Sequence, residues 1–106
     1  MAKRGKVVSF GMTGVNAKDL IASITKDSSR IFFSDHALER LEERNISNKQ
    51  AITCIKHGFI SEGPYQALNG DWKVNLSSVS AGDHLTVAIA FGKDSKGNNI
   101  IVVTAF

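Results

Sequence analysis

Trp72-Lys73-Val74-Asn75-Leu76-Ser77 and His84-Leu85-Thr86-Val87-Ala88-Ile89-Ala90-Phe91 decide the fold. In both runs large apolar residues occupy every second position. Successive side chains of a strand point to opposite faces, so this alternation reads as strands with one face on a core. Trp72, Val74, Leu76, Leu85, Val87, Ile89 and Phe91 are expected to face inward. Lys73, Asn75, His84 and Thr86 then share the outer face. Ala81-Gly82-Asp83 reads as the turn between the runs, and Asn69-Gly70-Asp71 as a hairpin turn before them. Residues 93–99 read as a Gly-Asn loop. Residues 100–106 read as a mostly apolar, interior strand, with Ile100, Val102, Thr104 and Phe106 on one side. An earlier strand starts at 59–62 and is interrupted by Gly63-Pro64, which suits an edge or a bend because proline lacks an N–H.

Before Gly58 the pattern is helical. Asn16 reads as an N-cap, and Leu20, Ile21 and Ile24 keep helical spacing to about Lys26. Arg30-Ile31-Phe32-Phe33 is a short strand-like run. Ser34 or Asp35 caps a second helix ending near Asn45, with Ala37, Leu38 and Leu41 as its apolar stripe. Ser47-Asn48-Lys49-Gln50 has capping-box spacing and Gly58 suits a left-handed C′ position, so a third helix covers 48–57 with Ala51, Ile52 and Ile55 inward. Helices followed by a meander predict an α+β domain, with helices on one face of a roughly four-stranded antiparallel sheet. Residues 1–15 form a basic, Gly-punctuated flexible lead with a short strand at 6–10. Residues 16–106 form the single domain.

The 106 residues suffice for one domain with a real core. One cysteine forbids an internal disulfide and fits a cytoplasmic setting. No apolar run approaches the ~20 residues of a membrane span. Thirteen Lys and Arg against ten Asp and Glu give +3, a mild lean towards a polyanionic partner such as RNA. The three histidines and the cysteine show no metal-ligand spacing, and no phosphate-cradling Gly loop is present, so no metal or cofactor is expected.

Ser34-Asp35-His36-Ala37-Leu38-Glu39-Arg40-Leu41-Glu42-Glu43-Arg44 carries the chemistry. Residues four apart share a helix face, so His36, Arg40 and Arg44 make a basic stripe. Histidine moves protons near neutral pH, and arginine forks onto phosphate oxygens. The competing reading is a solvated face paired with Glu39, Glu42 and Glu43. His57 reads as a last-turn residue favoured by the helix dipole, and Cys54 as packing.

The run from Ile31 to Ser47 resembles the S-x-H-A-x-x-R-x-x-x-R-x-I-S core of the family called domain of unknown function 4258. Ile55-Lys56-His57-Gly58-Phe59-Ile60-Ser61-Glu62 is similar to its I-x-x-G-x-I-x-E block, and Ile100–Phe106 to its closing I-I-V-T-x-Y/F strand. That family is similar to toxin ribonucleases of the barnase–EndoU–colicin–RelE fold. The resemblance implies a RelE-like domain and a small metal-independent endoribonuclease, checked by an antitoxin or immunity protein. It also implies functional positions at His36, Arg40, Arg44 and Thr104. Two departures stand out. The family often places a histidine where this chain has Thr86, with His84 two residues earlier on the same strand face. Residues 62–65 carry an extra Gly-Pro.

In such chemistry the 2′-hydroxyl attacks its own phosphodiester, so a base, an acid and a positive clamp are needed. His36 is the expected base or acid, Arg40 and Arg44 the clamps, Thr104 a hydrogen-bond donor and His84 the second proton-transfer group. Lys73, Asn75 and Thr86 are expected to bind RNA, with Tyr65 as a stacking residue. The alternative is a non-catalytic RNA- or protein-binding module on the same fold. Helix-borne His36 and Arg40 can meet the outer sheet face only at a sheet edge, or if a one-residue register shift reverses the two faces.

Overall fold

Thr13 opens the first helix. Its hydroxyl accepts from the Asn16 N–H, and the Asn16 side chain accepts from the Thr13 N–H, a closed capping box. The helix, α1, spans Gly14–Ile24. Asn16 is thus its third residue rather than the N-cap, because the extended conformation that a cap requires falls at Thr13. The computed structural model describes residues 11–80 and 82–106, so the strand expected at 6–10 and Ala81 of the expected turn lie outside the described residues.

A short 3₁₀ turn over Ser28–Arg30 leads into β1, Ile31–Phe33. Ser34 caps α2, Asp35–Glu43, by accepting from the Ala37 N–H. Ala37 and Leu41 are buried, whereas Leu38 is exposed, so the inward stripe of α2 is narrower than the sequence suggested. Asn45 turns the chain at φ 58°. Ser47 and Gln50 close a second capping box on α3, Asn48–His57. Gly58 is not left-handed, as a C′ glycine would be; its φ is −72°. Glycine is required there for a different reason. A Cβ would collide with the carbonyl oxygens of Cys54 and Ser77.

Four long strands follow: β2 (Phe59–Gln66), β3 (Trp72–Ser80), β4 (Asp83–Asp94) and β5 (Gly97–Ala105). The sheet order is β1-β5-β4-β3-β2. It has five strands and is mixed, not four-stranded and antiparallel, because β1 joins β5 in parallel register, Ile31 opposite Ile100. Three residues before a helix gave too little pattern to place that strand. Pro64 lies within β2 on the open edge, inside the register shift between Glu62 and Tyr65. The hairpin expected at 93–99 is present, with a turn shorter than the expected loop. Strands β4 and β5 run to Asp94 and from Gly97, whose φ of 117° takes the strained turn position.

Val74, Leu76, Leu85, Val87, Ile89 and Phe91 pack on the helix-covered face, as the alternation predicts, and Trp72 is half-buried outside that core. Ala17 and Ile21 of α1, Ala37 and Leu41 of α2, and Ala51 and Ile55 of α3 close over it. Strand β5 breaks its own alternation. A bulge shifts register between Val102, opposite Ile89, and Thr104, opposite Ala88. Ile100 and Val102 are buried in the core, whereas Thr104 and Phe106 pass to the helix-free face. The four residues therefore do not share a side. No described helix is long and apolar enough to cross a membrane.

Candidate functional site

Strand β1 ends at Phe33, and beyond it β5 has no neighbouring strand on that side. The carbonyls along this stretch need donors. Helix α2 supplies them. The Ser34 hydroxyl donates to Val103 O at 3.0 Å, Arg40 Nε to Ala105 O at 3.3 Å, and Arg44 Nη2 to His84 O at 2.8 Å. The basic stripe of α2 is thereby pinned along the free end of β5 as far as the start of β4. This is the sheet-edge arrangement, one of the two by which helix and sheet residues could meet.

Each guanidinium has five N–H groups and uses few of them here. Arg40 also pairs with Glu43 at 3.4 Å in an exposed contact. His36, one turn before Arg40, is exposed, and its side chain bonds to no other described residue. Thr104 stands on the adjoining strand, half-buried and opposite Ala88. His84, exposed on β4, lies at the far end of the stripe beside Arg44. Residues 36 and 44 are about 12 Å apart along the helix axis. His84 is tied to the stripe through its backbone carbonyl, which accepts from Arg44.

A cleft of about 570 Å³ opens next to this end. It runs between the α2–α3 corner and the β3–β4 hairpin. Arg44, Lys49 and His84 give it positive character, against Asp83. Cys54 lies at its wall, with its thiol donating to Leu76 O at 3.4 Å, and burial pushes that thiol's pKa up. A raised thiol is a poor nucleophile, so packing is its role. Lys49 and Asp83 carried no signal in sequence, since only the fold brings them to the cleft.

The four other predicted residues all lie on the helix-free face, and two are internally engaged. Asn75 is 9% exposed and donates to Glu62 Oε1 at 3.2 Å. Thr86 is 6% exposed, with Oγ1 2.7 Å from Ser77 Oγ. Ser77 donates to Ser61 Oγ at 2.8 Å, and Ser61 to Asn75 O. Since Ser77 has a single proton, Thr86 must donate to it, which orders one hydroxyl chain across three strands. Lys73 is half-buried opposite Tyr65, which is exposed. Sequence reading missed Ser61, because the β2 bulges hide its face, and Phe106, because the β5 bulge hides its own.

Among the described residues no three His, Cys, Asp or Glu side chains converge as a cation cage. At the other end of the molecule Arg30 grips the β4–β5 hairpin. Its Nη2 bonds Gly97 O and forms an ion pair with Asp94, whose carboxyl is held down at a pKa of about 2, chiefly by that contact.

Residues 33–106 match the family model described as domain of unknown function (DUF4258), and the chain belongs to that family. The match starts at the last residue of β1 and includes α2, α3 and the four long strands. No curated protein and no solved structure matches the chain.

Proposed function

We propose that this member of the DUF4258 family is a small, metal-independent endoribonuclease acting at the free end of β5. One observation carries the reading: Arg40 and Arg44 are fixed by backbone contacts along the sheet edge, while the exposed His36 side chain on the same stripe bonds to no other described residue. Fixed positive charge beside an unengaged imidazole is the equipment that phosphodiester transfer needs.

In the proposed reaction His36 takes the proton of a ribose 2′-hydroxyl. The oxygen attacks the adjacent phosphorus, and the P–O2′ bond forms as the P–O5′ bond breaks. His84 protonates the leaving O5′, and a 2′,3′-cyclic phosphate remains. Arg40 neutralises the charge that builds on the phosphorane, and Thr104 donates to a phosphate oxygen. Arg44 and Lys49 hold the following phosphate at the mouth of the cleft. An inhibitory partner, antitoxin or immunity protein, belongs to the same reading. General acid–base help of this kind is worth ~10²–10⁴ in rate. His36→Ala is therefore expected to lose at least ~10²-fold in cleavage while RNA binding and melting temperature hold.

A second reading rests on the same bonds. Arg40 and Arg44 also satisfy sheet carbonyls, so the stripe serves a non-catalytic RNA-binding module equally well. That protein would bind RNA with salt-dependent affinity and leave it intact.

A further inference from the structure

The helix-free sheet face is organised in rows across the strands. Tyr65, Lys73, Ala90, Ile101 and Phe32 form one row, and Glu62, Asn75, Ala88 and Thr104 the next. Phe59, Ser77, Thr86 and Phe106 form a third, and Val79 with His84 begins a fourth. Six of its large apolar side chains are exposed: Phe32, Phe59, Tyr65, Val79, Ile101 and Phe106. Small residues floor the middle and aromatic ones stand towards both edges. Exposed apolar side chains gathered on one face mark an interaction surface.

Three features say what covers it. First, five polar side chains of the floor are already paired with one another: Ser61, Ser77 and Thr86 in one chain, and Asn75 with Glu62. A surface built this way is buried at little desolvation cost, whereas a surface that reads RNA keeps its donors free. Second, the rows hold one lysine, Lys73, and one glutamate, Glu62, a residue row apart on neighbouring strands. These rows carry no net formal charge although the chain is +3, so the chain's positive charge is not concentrated on them. A two-fold axis between these residues sets Lys73 of each copy opposite Glu62 of the other. Third, rows about 7 Å apart on strands about 4.8 Å apart give a footprint of roughly 600 Å². Two such faces together reach the roughly 1,200 Å² of a stable interface.

We propose that two copies of this chain pair face to face through this sheet surface, with Lys73 and Glu62 exchanging ion pairs across a two-fold axis. Thr104 and His84 stand in these rows, so pairing covers two residues that the ribonuclease reading uses: the dimer is the form closed to RNA, and cleavage belongs to the monomer. Sedimentation velocity of the full chain from micromolar to submillimolar concentration tests it. The expected species has twice the 11.5 kDa chain mass. Lys73→Glu and Glu62→Lys each set like charges together and should raise the dissociation constant at least ~10-fold. The double exchange should restore it. Ile101→Glu should give a monomer with an unchanged circular dichroism spectrum. A folded wild-type monomer at every concentration overturns the proposal. So does a dimer indifferent to all these variants, which pairs by another surface. A monomer whose affinity for a uridine homopolymer falls on Phe32→Ala assigns the face to RNA and also overturns it.

Discussion

Gly58→Ala tests the reason given for that glycine. The residue closes α3 and starts the path into β2 with φ −72° and ψ 172°, a conformation that alanine adopts freely. Backbone strain therefore contributes nothing. The cost is steric: a Cβ would sit 2.6 Å from Ser77 O on β3 and closer still to Cys54 O of its own helix. Both obstacles are backbone, one in the last turn of α3 and one in a central strand, so neither can swing away. Overpacking of this kind costs ~1–3 kcal/mol, and the lower unfolded-state entropy of alanine returns ~0.4–1 kcal/mol. The net loss should be ~1–2 kcal/mol, or ~5–15 °C in Tm for a domain this size. Urea unfolding of wild type and variant, fitted with a common slope, reads it directly. Gly58→Asn discriminates further. A left-handed C′ site tolerates asparagine well, whereas the close approach rejects it at least as strongly as alanine. An unchanged or raised midpoint for Gly58→Ala, or a harmless Gly58→Asn, would refute the close-approach argument.

Other expectations follow from single contacts. Leu41→Ala removes a side chain 1% exposed at the α2–sheet contact and should cost ~2–5 kcal/mol in urea unfolding. Arg44→Ala loses one exposed bond to His84 O, so stability should fall by no more than ~1 kcal/mol, while RNA affinity loses part of its salt dependence. Asp94 has a folded-state pKa depressed to about 2 by Arg30, so its stabilising contribution is complete above the ordinary carboxylate value of 3.8. It should disappear as pH falls from there through about 2, and a carboxyl NMR titration with Asp94→Asn melts alongside checks both points. Cys54 is buried with a raised pKa, so alkylation of the native protein should be slow at neutral pH and become rapid in urea.

The long strands and the inward set on β3 and β4 were legible because alternation there runs unbroken for several residues. α3 was legible from its capping box, and α2 from Ser34. What stayed hidden is what no local pattern encodes. β1 is three residues long, and its parallel pairing with β5 is a tertiary choice. Thr104 and Phe106 change face at a bulge that the sequence does not mark. Gly58 has the composition of a helix stop but is fixed by a carbonyl of a strand nineteen positions on. For the site, the four-residue spacing found the stripe His36, Arg40 and Arg44. The fold added what spacing cannot give, namely that the guanidinium groups reach β5 and β4 and that Arg44, Lys49 and His84 share one cleft. Asn75 and Thr86 read as open polar positions, yet neighbouring strands cover them and engage their side chains.

The most direct test of the central claim is incubation of total cellular RNA with the purified protein in EDTA, with His36→Ala in parallel. The account predicts discrete fragments ending in 2′,3′-cyclic phosphate from the wild type, and intact RNA from a variant that melts at the same temperature. Intact RNA with a folded wild-type protein, or equal cleavage by both proteins, would contradict it.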